Sequence, residues 1–126
     1  MRLSALVVAV FVSAFPALAD DEAKEPPVPP GTDPGGFAVA IIETGVDYTI
    51  TSIAERLARD GEGEIVGWDF IDNDRRPYKR ADDLEDMHYS HRGTAMARMV
   101  LKRAARARIA PVSIATDDEA QVNKAI

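Results

Sequence analysis

Six apolar residues, Phe37 to Ile42, run without a charge and end against Glu43, Thr44 and Gly45. A short continuous apolar run bounded by turn signals reads as a strand covered on both faces, the kind a parallel sheet uses. In open parallel sheets the chemistry sits just past the carboxyl ends of the strands, which is where Glu43 falls. Taken alone, the stretch is a buried strand followed by a solvated loop acid.

The rest of the chain repeats that logic. Ser52-Ile53-Ala54-Glu55 has capping-box spacing, and Ile53, Ala54, Leu57 and Ala58 make an apolar stripe, predicting a short helix over Thr51 to Arg59. Glu64 to Ile71 is rich in β-branched and aromatic residues and predicts a second strand. Tyr78 to Ser90 is polar and reads as a surface excursion. From Gly93 to Ala107 the pattern is helical, with Met96, Met99, Val100 and Ala104 as the inward face. Arg98, Lys102, Arg103 and Arg106 are read as complementing the negative end of that helix dipole, with a patch for an acidic partner as the alternative. Ile109 to Ala115 is a third strand, and Thr116-Asp117-Asp118-Glu119 opens a last helix through a capping box. Strands alternating with helices imply an α/β fold, a partial doubly wound parallel sheet of about three strands with right-handed crossover helices. All strand ends then open onto one rim, carrying Glu43 and the loop from Asp69 to Asp74.

Two segments precede this unit. Arg2, the apolar run Leu3 to Phe15 and the Ala17-Leu18-Ala19 cleavage pattern have the layout of a secretory signal peptide over residues 1–19, too short and weakly flanked for a membrane span. Residues 20–36 hold five prolines and three glycines with almost no apolar side chains, so they read as a disordered, mobile linker. The folded unit is then residues 37–126. An exported chain, periplasmic or extracellular, follows from the leader. The formal net charge of −6 makes nucleic acid or an anionic membrane a poor partner. Without cysteine, disulfides, thiolate metal sites and cysteine nucleophiles are excluded.

Four blocks resemble one family. Ala40 to Tyr48 (AIIETGVDY) resembles the V-I-D-T-G-V-D-Y block of the subtilisin-like serine proteases, or subtilases. Gly67 to Asp74 (GWDFIDND) is similar to their G-W-D-F-x-x-N-D stretch, His91 to Ala97 (HRGTAMA) to the H-G-T-x-x-A helix start, and Ala107 to Val112 (ARIAPV) to the A-x-I-x-P-V strand. Their order and spacing across residues 37–126 are more specific than any single motif. The resemblance implies a subtilase-like fold and serine endopeptidase chemistry, in which an aspartate orients a histidine that takes the proton of a serine.

This chain departs from that pattern at each position. Glu43 stands at the aspartate, one methylene longer, and a displacement of about an ångström can cost about a hundredfold in rate. Alignment on Gly93-Thr94 puts Arg92 at the histidine, and a guanidinium cannot act as a general base. Alternatively Arg92 is an insertion and His91 keeps the place. The paired replacements predict a salt bridge between Glu43 and Arg92. The family's serine block has no counterpart, and Ser52, Ser90 and Ser113 lack a nucleophile's context. The expected catalytic positions are therefore Glu43, His91 and Arg92 in degenerate form, on an inactive N-terminal portion of a catalytic domain. The alternatives are a protein-binding module reusing the fold, or the remnant of an interrupted protease gene. The partners implied are a polypeptide substrate or a protein chain that completes the sheet.

No cofactor is expected. His88 and His91, with Asp82, Asp83, Glu85 and Asp86 upstream, lack the spacing of a zinc site and read as solvated loop residues. Asp69, Asp72 and Asp74 offer oxygen ligands of the kind calcium takes, but without the glycine and distal glutamate of a recognised calcium loop they read as a polar turn.

Overall fold

The computed structural model describes residues 25–80, 92–115 and 118–126. The element order is β1 (Ala38–Glu43), α1 (Thr51–Ala54), β2 (Trp68–Asp69), α2 (Arg92–Arg103), β3 (Arg108–Ser113) and α3 (Glu119–Ala125). The three strands form one parallel sheet in the order β1-β3-β2, so the chain is a small mixed α/β unit. β1 and β3 pair along their full lengths, from Ala38 opposite Arg108 to Glu43 opposite Ser113. Val39, Ile41 and Glu43 share one sheet face with Ile109, Pro111 and Ser113, because paired residues of a parallel ladder point the same way. That face packs into a core of Ile41, Val46, Tyr48, Ile53, Leu57, Ile65, Ala97 and Ile109.

β2 is shorter than the expected Glu64 to Ile71, and the cause lies in β3. Amides along β3 alternate between neighbours: Arg108 donates to Phe37 on the β1 side, and Ile109 donates to Arg56 on the other. The next donor due on that other side is Pro111, which has no N–H. The β2 ladder therefore forms only beyond it, at Trp68 opposite Val112 and Asp69 opposite Ser113.

The same edge explains the short first helix, which was expected to reach Arg59. From Arg56 onward the backbone leaves the helix to serve β3: Ile109 donates to Arg56, and Ala58 donates back to Ile109 at 2.8 Å. The capping box does not form either. Ile50 is the N-cap, with no side-chain cap hydrogen bond, and its carbonyl accepts from Ile53 and Ala54. In α3 the cap is Asp118, whose carboxylate accepts from the amides of Ala120 and Gln121.

Three further expectations are corrected. The face of α2 that enters the core is Gly93, Thr94 and Ala97, with Val100, as expected, and Leu101 packed against it, while Met96 and Met99 are exposed. Close approach of the helix backbone to β1 demands small side chains there, and the methionines are turned outward. Residues 25–36, read as a mobile spacer, form a strap against the body: Tyr48 donates to the carbonyl of Pro26 (2.7 Å) and Arg59 to that of Pro29 (2.6 Å). Asp33 accepts from the amides of Arg59 and Gly35 and pairs with Arg108 at 2.5 Å. These polar anchors add to the one apolar contact the segment makes, Val28 against the core. Tyr78 is likewise no part of a surface excursion, since its ring packs at a tilt against Tyr48 with centroids 5.0 Å apart. The signal-peptide reading, residues 81–90 of the polar excursion and His91 lie outside the described residues.

Candidate functional site

The site is built where β1 ends and α2 begins. Glu43 closes β1, and its last backbone contact is the amide of Ile114, which donates to the Glu43 carbonyl at 2.8 Å. The turn that follows needs Gly45, whose φ of +117° is closed to other residues and which lies against the backbone of Tyr78. Gly93, in the first turn of α2, sits directly on this turn. A Cβ on Gly93 would lie 2.1 Å from the Gly45 carbonyl oxygen and 3.3 Å from the Glu43 Cβ. One residue on, the buried Thr94 hydroxyl accepts from the amide of Asp47 at 2.8 Å. Asp47 in turn holds the amide and hydroxyl of Thr49. The Gly45–Asp47 turn and the Gly93–Thr94 start are thus locked together through backbone contact and one side-chain hydrogen bond.

This lock sets the expected ion pair. Arg92 Nη2 lies 3.0 Å from Glu43 Oε1, with the Glu43 side chain 8% exposed and the Arg92 side chain 54% exposed. The other carboxylate oxygen accepts from the amide of Thr44 at 3.3 Å. A carboxylate this buried needs compensation, and the guanidinium supplies it from the solvent side. Chemically the pair holds charge but cannot relay a proton, because arginine keeps its proton throughout the working pH range.

Across the sheet, Glu43, Ser113 and Asp69 stand in line at the last rung of the three strands. Ser113 is 1% exposed, and its hydroxyl has no hydrogen-bond partner among the described residues. Its burial keeps it from a carbonyl substrate. Ser52 lies on the exposed side of α1, and Ser90 falls outside the described residues. Sequence reasoning passed over the alignment of Ser113 with Glu43. No local signal marked it, because the apolar run continues past Ser113 through Ile114 and Ala115.

Asp69, 2% exposed, is held differently. Its Oδ1 accepts from the amides of Ile71 (2.7 Å) and Asp72 (3.0 Å), and its backbone exchanges hydrogen bonds with Asp74. Asn73 takes the left-handed conformation (φ 57°) that closes this turn. Glu25, from the strap, brings a carboxylate oxygen within 4.8 Å of those of Asp69 and Asp72. Burial first, then the neighbouring carboxylates of Asp69, Asp74 and Asp72, push the Glu25 carboxyl up to about 7. Such a trio suits a proton or a hard cation, but one Asp69 oxygen is already taken by two amides, which favours the polar-turn reading. At the other end of the strap, the amides of Arg59 and Gly35 and then Arg108 lower the Asp33 carboxyl to about 2. Among the described residues no helix is long and apolar enough to cross a membrane.

No family model, no curated protein and no solved structure matches this chain.

Proposed function

We propose that this chain is an exported, catalytically silent relative of the subtilisin-like serine endopeptidases, its three strands part of a doubly wound subtilase-like sheet. The observation that carries the reading is the Glu43–Arg92 contact at 3.0 Å, formed by the two residues that the resemblance assigns to the acid and base of the relay. The docking of the ETGVDY block on the RGTAMA block through Gly45, Gly93, Asp47 and Thr94 supports it, because these blocks carry the resemblance. A relay in which the base is replaced by a fixed cation has lost the group that would accept a proton.

The test uses the purified full chain with casein, a fluorogenic peptide and a fluorophosphonate probe. The expected result is no hydrolysis above buffer and no serine labelling. Fluorophosphonate labelling that disappears in Ser52→Ala, Ser90→Ala or Ser113→Ala overturns the reading.

A second reading, a module that takes up another chain to complete the sheet, has its own observation. Among the described residues β1 pairs with β3 alone, and Phe37 at its start is 57% exposed. An unpaired strand edge is a template for a further strand. Fast amide exchange along the free side of β1, slowed on addition of a partner, would favour this reading over a free edge.

A further inference from the structure

The outward face of α2 is neither core nor an ordinary solvated helix surface. Met96 and Met99 are 42% and 64% exposed, one turn apart. Arg98, Lys102 and Arg103 surround Met99 and are exposed. With Ser52 of α1 they line an open cleft of about 680 Å³. Among the described residues no hydrogen bond or ion pair reaches Arg98, Lys102 or Arg103.

The helix dipole accounts for part of this charge. It favours cations within the last turn, where Lys102 and Arg103 lie. Arg98 is more than a turn from the helix end, and its like-charge spacing to Lys102 (i, i+4) is mildly destabilising in an isolated helix. Exposed methionines add a flexible, polarisable apolar surface of the kind used at adaptable binding faces.

We propose that this face docks an acidic polypeptide segment, its carboxylates over Arg98, Lys102 and Arg103 and one apolar side chain against Met99. A polypeptide fits better than an anionic bilayer for two reasons. The lining is an open furrow along α2 bordered by Ser52 of α1, which suits a chain better than a plane. The molecule also carries a net charge of −6, and a bilayer meets all of that charge. A single segment instead meets mainly the cations within a Debye length, about 8 Å at physiological salt. The proposal uses the side of α2 opposite Gly93, Thr94 and Ala97, and stands whether or not the relay reading holds.

The experiment is fluorescence anisotropy of the full chain with a labelled peptide of alternating glutamate and leucine. A lysine–leucine peptide and phosphatidylglycerol vesicles serve as competing probes. The glutamate–leucine peptide is expected to bind at low salt and to weaken steeply as salt rises. Affinity should fall about tenfold or more in Arg98→Glu/Lys102→Glu, and by a smaller factor in Arg98→Gln/Lys102→Gln. Met99→Ser should cost about threefold. All these positions are exposed, so far-UV circular dichroism should stay native; should the double Glu variant lose it, the double Gln variant decides. Four results overturn the proposal: no binding, equal binding of the lysine–leucine peptide, affinity unchanged in a natively folded double variant, or tighter binding to the vesicles. A salt-sensitive dimer that excludes the peptide would assign the face to a second copy and also overturn it.

Discussion

Two buried carboxylates flank Ser113 at the sheet's carboxyl edge, and they are kept in opposite ways. Glu43, 6% exposed, is compensated by a guanidinium from another element that stands half in water. Asp69, 2% exposed, is compensated by two amides of its own turn. The first arrangement depends on one surface side chain and on the backbone lock that delivers it. The second is part of the chain's path, and no side chain can be removed to undo it except Asp69 itself. A carboxylate served by a long, solvated partner remains open to change, whereas one served by its own turn is committed to structure. That difference is why the functional reading rests on Glu43 and not on Asp69.

The comparison breaks most sharply at Gly93. Gly93→Ala drives a Cβ onto the Gly45 carbonyl, with backbone on both sides, and should cost about 3 kcal/mol or more, read as a lower urea midpoint. Asp69→Ala should follow at about 2 kcal/mol, since two amides at a buried position lose their acceptor. Arg92→Met should cost about 1–2 kcal/mol, because it strands a buried carboxylate while water at the half-exposed guanidinium's place limits the loss. Salt separates the two mechanisms. The penalty of Arg92→Met should shrink as ionic strength rises, and that of Asp69→Ala should not.

The smallest effect concerns Glu25 and appears only against pH. Its carboxyl is pushed up to about 7 in the folded chain from an ordinary 4.5, so the folded state holds the proton more tightly. Stability should therefore decline as pH rises from about 4.5 through about 7 and stay at the lower level above that. Glu25→Gln should flatten this part of the thermal-midpoint profile. An unchanged profile would mean that Glu25 does not lie against Asp69 and Asp72.

Much of this was legible in the chain. The apolar run closed by Glu43 announced β1, and the run Ile109 to Ala115 announced β3, although that strand ends earlier, at Ser113, because a strand covered on both faces needs no alternation. The Glu43–Arg92 pair was legible from the opposite charges at the two motif positions. The length of β2 was not, although Pro111 is plain to see, because a missing N–H matters only once its side of the ladder is known. The inward face of α2 was also misread. Hydrophobicity placed Val100 correctly but also pointed to Met96 and Met99, while the close approach to β1 is made at Gly93, with Thr94 and Ala97 buried beside it. Nor does composition reveal that Asp33 meets Arg108, or that Tyr48 meets Pro26, since each pair is distant in sequence.

From the residues alone came an α/β chain with parallel strands and a carboxylate and a guanidinium at one rim. Periodicity and charge are local properties, and they suffice for that much. Tertiary structure alone decided which side of α2 is buried, how the proline-rich strap is anchored, and that Ser113 stands between Glu43 and Asp69. Each of those depends on how closely two backbones approach, a distance that no single segment encodes.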